Sequence, residues 1–220
     1  MSRTRNHTAP ASNGARKEIR AYGIRALLSC HPRIRQLKRR HHPSLYGNKL
    51  WNASWLLMDF FKKKGMPEGT RVMELGCGWG LAGVYCAKKY GAHVTGLDTD
   101  ADVFPYLQLH AEVNGVEIRT LQKDMNNLRR DHLEGFDMLI GADICFWDDM
   151  GRSLKRLINR ALGGGVKAVV IADPGRTPFL EVADHYVQSQ LGDLLDWGVQ
   201  QPKPIPGHIL QIGELLMSQK

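Results

Sequence analysis

The chain has 220 residues, of which 43% are hydrophobic and 24% charged, and its formal net charge is +8. This length fits one α/β domain with an extension, and the composition excludes wholesale disorder and fibrous repeats. The most apolar strand-like run, residues 168–172, is far shorter than the roughly 18 residues that span a bilayer, so no membrane partner is expected. The four cysteines show no CxxC spacing, which favours reduced thiols, a cytoplasmic location and no metal site.

Positive charge is concentrated in residues 1–42, which carry eleven Lys or Arg against one acid, Glu18. Such a segment attracts an acidic protein surface or nucleic acid. An acid-poor, Arg-rich amino terminus is also typical of an organelle transit peptide. Apolar residues at helical spacing instead favour a packed segment, with short helices over 17–28 and from Pro32 to Arg40.

We therefore predict a basic, helical N-terminal extension over residues 1–43, of which 1–14 are disordered, and a second unit over residues 44–220. Residues 50–61 predict a helix that ends at three lysines and Gly65. Strands and helices alternate after it. The predicted elements are strands at 71–75, 93–97, 117–122, 136–142 and 166–172, helices at 81–90, 101–114, 150–162 and 177–191, and an antiparallel pair of strands at 194–200 and 208–212.

Strands that alternate with helices of 10 to 15 residues predict right-handed crossovers and a parallel sheet. In such sheets the functional residues gather at the carboxyl ends of the strands. Acidic residues mark five successive strand ends: Glu74, Asp98, Asp124, Asp143 and Asp173. This regularity predicts a ligand site at that edge of the sheet.

A glycine-rich turn follows the first strand of this series, from Gly76 through Gly78 to Gly80. Glycines allow a ligand to approach the backbone closely. A dinucleotide fingerprint requires G-x-G-x-x-G, but position 81 is Leu, and Glu74 would repel a pyrophosphate. The turn therefore favours the methionine portion of S-adenosylmethionine, with a purely structural turn as the alternative.

Two further acids fit a bound nucleoside. Asp98 ends the second strand, 22 residues after Gly76, where a carboxylate can accept hydrogen bonds from both ribose hydroxyls. Asp124 follows the third strand, where it is placed to accept from an adenine amino group while Met125 covers the ring. A loop Asp of this kind is often only a turn residue.

Over residues 44–215 the chain resembles the class I S-adenosylmethionine-dependent methyltransferases. Within them it is most similar to the seven-strand protein lysine methyltransferases, the group of the electron-transfer-flavoprotein β-subunit lysine methyltransferases. The segments that carry the resemblance are 47–51, 74–80, Asp98, 141–148 and 173–176. The resemblance implies a Rossmann-like three-layer αβα sandwich with a mostly parallel seven-stranded sheet and an antiparallel C-terminal strand.

The resemblance also implies where S-adenosylmethionine and the acceptor bind. We assign cofactor contacts to Trp51, Glu74, Gly76, Cys77, Gly78, Gly80, Asp98, Thr99, Asp124, Met125 and Ala142. Asp143 is the candidate catalytic residue, because a carboxylate near an amine can help to remove its proton. The predicted substrate-binding residues are Phe146, Trp147, Asp173 and Arg176, although the last two can equally cap the next helix.

The chain departs from the family at one position that bears on the acceptor. The family carries Asp-x-x-Tyr after the fourth strand, whereas residues 143–146 read Asp-Ile-Cys-Phe and lack the phenol. Phe146 and Trp147 can still line an apolar slot or contact an ammonium group by a cation–π interaction. Lysine methylation of a protein, with an acidic surface as a candidate docking partner, is the leading prediction. The alternatives are a small-molecule or RNA methyltransferase, and a non-catalytic module that binds nucleic acid through residues 1–42.

Overall fold

A seven-stranded sheet with helices on both faces forms the body of the protein in the computed structural model, which describes residues 16–44 and 46–214. The strands are β1 Glu18–Ala21, β2 Ile24–Leu27, β3 Arg71–Leu75, β4 His93–Asp98, β5 Arg119–Gln122, β6 Met138–Ala142, β7 Ala168–Asp173, β8 Gly192–Val199 and β9 Ile205–Gly213. The α-helices are α1 Pro32–Leu37, α2 Ala53–Lys64, α3 Leu81–Tyr90, α4 Phe104–Asn114, α5 Arg130–Leu133, α6 Asp148–Leu162 and α7 Thr177–Gln188.

The sheet has the strand order β5-β4-β3-β6-β7-β9-β8. Neighbouring strands from β5 to β7 are parallel, and β9 runs antiparallel to both β7 and β8. The predicted Rossmann-like sheet with an antiparallel C-terminal strand is confirmed. The strand order reverses between β3 and β6, and this is the place where ligands bind in open α/β sheets.

Alternate side chains of the sheet pack into different apolar layers. Val72, Ile140 and Val170 belong to one core with α2 and α3, whereas Met73 and Val169 belong to a second core with α6 and α7. Successive residues of a strand point to opposite faces, so this alternation puts helices on both sides of a buried sheet. The three-layer sandwich is the result.

The prediction of a helix over residues 17–28 is wrong, because β1 and β2 form an antiparallel hairpin there. The turn consists of Tyr22 (φ 54°) and Gly23 (φ 78°). Two successive residues with positive φ match the type I′ turn, whose twist suits a two-residue hairpin. Ile24 and Ala26, whose side chains are buried, are two residues apart. This spacing fits the period of a strand and not the period of a helix.

Polar side chains of α4 hold the hairpin against the body. Asn114 accepts a hydrogen bond from Arg25 N and donates one to Arg25 O, both at 2.8 Å. His110 Nε2 accepts from Leu27 N at 3.0 Å. These bonds satisfy the open edge of β2, which would otherwise carry unpaired backbone groups. The basic segment is thus packed on the domain from residue 16 onward, and the predicted disorder of residues 1–14 lies outside the described residues.

Other predicted elements are present with shifted ends. The second basic helix is α1, for which His31 Nδ1 accepts from Arg33 N at 3.2 Å as the amino-terminal cap. The helix predicted from residue 101 begins as a 3₁₀ turn, Ala101–Val103, before α4. Asp100 caps that turn by accepting from Asp102 N. Within residues 16–44 and 46–214, no helix is long and apolar enough to cross a membrane.

Candidate active site

A cavity of about 350 Å³ opens at the carboxyl ends of β3, β4 and β6, where the strand order reverses. Its volume lies at the lower end of the range for small-molecule pockets, roughly 300 to 1,000 Å³. The predicted site residues that line it are Trp51, Gly76, Gly78, Asp98, Thr99, Asp124, Met125, Ala142, Asp143 and Phe146. The topology therefore gathers ten residues from five separate chain segments into one wall.

The glycine turn forms the floor between β3 and α3. Gly76 has φ 55° and Gly80 has φ 71°. A Cβ on Gly76 would lie 2.9 Å from Ile144 Cγ2, and one on Gly80 would lie 2.5 Å from Leu107 Cγ. Both positions therefore require glycine for backbone conformation and for space.

Glu74 is buried and directed at the start of α3. Its Oε2 accepts a hydrogen bond from Gly83 N at 3.0 Å, and its side chain is 2% exposed. Burial raises the pKa of this carboxyl to about 8, against the opposing effect of the Gly83 and Ala82 amides. Glu74 does not line the larger cavity, but it lines a smaller adjoining space of about 20 Å³.

Asp98 ties the glycine turn to the end of β4. One carboxylate oxygen accepts from Gly78 N at 3.1 Å and the other accepts from Asp100 N at 3.1 Å. Burial raises the pKa of Asp98. The half-buried carboxylate faces the cavity, and each oxygen can accept more than one hydrogen bond. Ribose hydroxyls remain the predicted partners.

Asp124 and Met125 lie at the far end of the cavity after β5. Asp124 accepts from Asn126 N at 2.7 Å and so caps the 3₁₀ turn Met125–Asn127. It also lines the cavity, as does Met125. The capping role and a contact with an adenine ring are therefore compatible in the same residue.

Three predicted cofactor residues line the smaller adjoining space but not the larger cavity: Glu74, Cys77 and Gly80. Cys77 is buried, and burial raises the pKa of its thiol well above the ordinary value. Such a thiol is a poor nucleophile, which agrees with its interpretation as a residue of the turn. Trp51 lines both spaces and donates from Nε1 to Tyr46 O at 2.7 Å.

Asp143 follows β6 with φ 62°, in the left-handed region that Asp tolerates better than most residues. It is 7% exposed and forms an ion pair with Arg176 Nη1. Asp173, which is fully buried, accepts from Gly175 N and Arg176 N at 2.8 and 2.7 Å, and also pairs with Arg176 at 3.3 Å. One guanidinium therefore serves two buried carboxylates. Asp173 and Arg176 do not line the cavity but determine the surroundings of Asp143.

Aromatic rings stand beside Asp143 at the cavity mouth. Tyr46 stacks on Phe146 with a centroid distance of 4.3 Å, and meets Trp147 edge to face at 5.1 Å. The Arg176 guanidinium carbon lies 4.5 Å from the Phe146 centroid. Trp147 is 47% exposed and lies at the rim, outside the cavity lining. Arg176 thus contacts both the Asp143 carboxylate and the Phe146 ring.

Tyr46 is one of several cavity-lining residues that sequence reasoning missed. Residues on both sides of Tyr46 hold it there: Trp79 Nε1 donates to Gly47 O at 2.8 Å, and Ser44 N donates to Asp100 Oδ2 at 2.5 Å. Because these partners belong to the glycine turn and the end of β4, the segment is attached to the glycine-turn end of the cavity. Its position directly before the Gly47-to-Trp51 motif is the signal that could have identified it.

No cluster of three or more His, Cys, Asp or Glu side chains that could hold a metal ion occurs among the described residues.

Residues 72–165, which is less than half of the chain, match a family model described as a methyltransferase domain. The electron transfer flavoprotein beta subunit lysine methyltransferase of Rattus norvegicus is 23% identical over 163 residues, covering 71% of this chain and 62% of the relative. The ubiquinone biosynthesis O-methyltransferase of Cronobacter sakazakii is 34% identical over 78 residues, covering 36% of this chain and 32% of the relative. The chain thus spans less than two thirds of the length of these curated relatives.

Among solved structures, a methyltransferase from Pyrococcus furiosus superposes with a TM-score of 0.57 at 18% identity, covering 77% of this chain and 90% of that one. A match at this identity shows the shared fold. In its fold, in the position of its cavity and over residues 72–165, the chain is similar to the class I S-adenosylmethionine-dependent methyltransferases. The predicted resemblance to the protein lysine methyltransferases within that class is confirmed by the rat relative.

Proposed function

We propose that the protein transfers a methyl group from S-adenosylmethionine to a lysine side chain of a protein. The observation that carries this proposal is the continuity of the cleft. The same 350 Å³ cavity is lined by the glycine turn at one end and by Asp143 and Phe146 at the other. A cofactor and an amine acceptor can therefore meet inside it.

The residues present fit the cofactor. Gly76 and Gly78 leave the backbone open toward the cavity, Asp98 offers carboxylate oxygens to the ribose, and Asp124 with Met125 offers an acceptor and an apolar cover for the adenine. S-adenosylmethionine supplies an electrophilic methyl group when bound. The protein's task is then mostly alignment and exclusion of water, because methyl transfer needs a nucleophile held at roughly 3 to 3.5 Å.

Asp143 is the group that we propose for the amine. Burial raises the pKa of its carboxyl, although Arg176 acts in the opposite direction. A raised pKa makes a carboxylate a better acceptor for the proton of an ammonium group. Phe146 and Tyr46 form the apolar side of the same slot. These features support an amine acceptor more than a hydroxyl acceptor.

A small-molecule acceptor is the second candidate, and the similarity to the ubiquinone O-methyltransferase favours it. RNA and a non-catalytic nucleic-acid-binding role stay as further alternatives from the sequence. The free state of the four cysteines supports the predicted cytoplasmic location. The basic segment supports docking to an acidic partner, since Arg35, Arg39 and Arg40 are exposed on and just after α1.

Two experiments test the proposal together. One is calorimetry with S-adenosylhomocysteine, and the other is incubation of a lysate with the protein and radioactive S-adenosylmethionine. We expect saturable binding and a radioactive signal that protease removes and nuclease leaves intact. Asp143→Asn should abolish the signal while S-adenosylhomocysteine still binds. Arg35→Glu with Arg39→Glu should lower the signal at low salt if the basic segment docks the partner. A folded protein that binds no S-adenosylhomocysteine would refute the enzyme, and a nuclease-sensitive signal would refute the protein acceptor.

A further inference from the structure

One face of α6 extends from the cavity to the turn at the end that we assign to adenine. Asp149 and Ser153 line the cavity, and Arg156 and Arg160 follow on the same face of the helix. The spacings of four, three and four residues keep side chains on one side of a helix. The helix that forms a wall of the cavity therefore continues along the 3₁₀ turn Met125–Asn127.

The two arginines of this face hold the turn. Arg160 Nη2 donates to Met125 O at 2.9 Å, and Arg156 Nη2 donates to Asn126 Oδ1 at 3.1 Å. Arg156 Nη2 also donates to Ser153 Oγ at 3.1 Å, which orients its guanidinium. Hydrogen bonds from a charged donor are stronger than those between neutral groups. The turn is thus joined to α6 by two such bonds.

The turn has little packing of its own to hold it in place. None of its three residues is buried, and Met125 packs only partly buried against the apolar core of α6 and α7. The bond from Asn126 N to Asp124 lies within the same loop, so it shapes the turn without connecting it to the rest of the protein. The bonds from Arg156 and Arg160 make that connection and help to fix where the turn faces the cavity.

Arg160 shows a further sign of a role beyond packing. Its Nε is buried and has no hydrogen-bond partner within residues 16–44 and 46–214. A buried donor without a partner costs free energy, so an apolar side chain would suit a position that only packs. What the arginine adds is the hydrogen bond from its guanidinium to the carbonyl of Met125.

We propose that Arg160, and to a smaller extent Arg156, are positioning residues for adenine recognition. They keep the Asp124 carboxylate and the Met125 side chain at the cavity wall, where the carboxylate accepts from the exocyclic amino group. The inference rests on the proposed function, which places the nucleoside of S-adenosylmethionine in this cavity. It goes further, because it assigns the preference for an adenine base to residues of α6 that do not line the cavity.

Two matched ligands test the proposal on the full chain. They are S-adenosylhomocysteine and S-inosylhomocysteine, in which an oxygen atom replaces the exocyclic amino group of adenine. We expect calorimetry to show that the unaltered chain binds the adenine ligand about 30-fold more tightly, because the Asp124 carboxylate would otherwise face an oxygen. In Arg160→Met the affinity for S-adenosylhomocysteine should fall about tenfold, and that for S-inosylhomocysteine less than about threefold. Equal losses, or no loss, would overturn the proposal.

Further variants separate the hydrogen bond from the fold. Arg160→Lys keeps a charged donor on a flexible stem, so it should recover most of the preference for the adenine ligand. Arg156→Met should lower the preference about threefold, and because Arg156 is exposed, this variant tests the proposal even if Arg160→Met fails to fold. Lys155→Met, which also removes a cation from α6 outside the cavity lining, is the matched control and should leave both affinities unchanged. A preference that Arg156→Met leaves unchanged and Arg160→Lys does not recover would overturn the proposal.

Combining Arg160→Met with Asp124→Asn tests whether the arginine acts through the carboxylate. We expect the double variant to show the same preference as Asp124→Asn alone, since both changes affect one contact. Losses of preference that add would contradict this route. Failure of the unaltered chain to bind S-adenosylhomocysteine would refute the proposed function, whereas binding without a preference for the adenine ligand would refute only the inference about α6.

Discussion

The two ends of the cleft are constructed in different ways. The end that we propose for the cofactor consists of backbone groups and short side chains that directly follow β3, β4 and β5, and Asp98 accepts from the amide of Gly78 within it. The acceptor end combines side chains from distant parts of the sequence: Tyr46, Phe146 and Arg176. The first is determined by turn geometry, and the second by tertiary packing.

This difference separates a general function from a specific one. The cofactor end depends on positive φ at Gly76 and Gly80, where a side chain would strike Ile144 or Leu107. Few residues satisfy such a requirement. The acceptor end depends on which rings and charges meet, so substitutions there change the acceptor without disturbing the sheet.

Asp98→Ala should have the largest effect, and only on the cofactor end. It removes the predicted ribose contacts and leaves the amides of Gly78 and Asp100 without their acceptor. We expect the affinity for S-adenosylhomocysteine to fall about 100-fold, or roughly 3 kcal/mol. Calorimetry measures it, with Asp184→Ala, at an exposed position of α7, as the control. A loss below about threefold would show that Asp98 only supports the turn.

The cofactor end could be predicted from the sequence because its signals are local. A strand, a spaced glycine turn and an acid at the next strand end occur close together, and residues 71–75 and 81–90 have the predicted bounds. The acceptor end could be predicted only in part. Asp143 and Phe146 follow β6, but the stacking of Tyr46 on Phe146 joins residues one hundred positions apart. The periodicity of apolar residues in a short stretch of sequence cannot predict such a contact.

The hairpin shows the same limit in another part of the chain. Residues 17–28 carry apolar side chains whose spacing is compatible with a helix, so local pattern alone favoured the wrong element. The positive φ of Tyr22 is unusual for a non-glycine residue. The bonds from Asn114 and His110 to β2 depend on α4, which lies about ninety residues further on. Contacts with α4 therefore favour the hairpin conformation of residues 17–28 over a helix.

Phe146→Leu should have an intermediate effect, confined to the acceptor end. Leucine keeps apolar volume but removes the ring that Tyr46 and Arg176 contact. We expect the apparent KM for the acceptor protein to rise about tenfold, while the affinity for S-adenosylhomocysteine stays the same. Steady-state methylation against acceptor concentration measures this. A fall in kcat at unchanged KM would instead assign Phe146 to alignment in the transition state.

Glu74→Gln should have the smallest effect on the cleft and a clear effect on stability. Burial raises the pKa of Glu74 to about 8 from an ordinary value of 4.5. Between these values the folded chain keeps a proton that the unfolded chain releases. This contribution to the free energy of unfolding is therefore full below pH 4.5 and decreases by about 1.4 kcal/mol for each pH unit up to pH 8.

Glutamine stays neutral and can still accept the hydrogen bond from Gly83 N. Urea unfolding at pH 5, 6.5 and 8 should therefore show a weaker decline of stability in the variant than in the unaltered chain. Parallel slopes would mean that Glu74 is ionised in the folded state. The affinity for S-adenosylhomocysteine, measured on the same samples, tests the predicted cofactor contact. A large loss would place Glu74 in direct contact with the ligand, and a small one would restrict it to holding α3 against the turn.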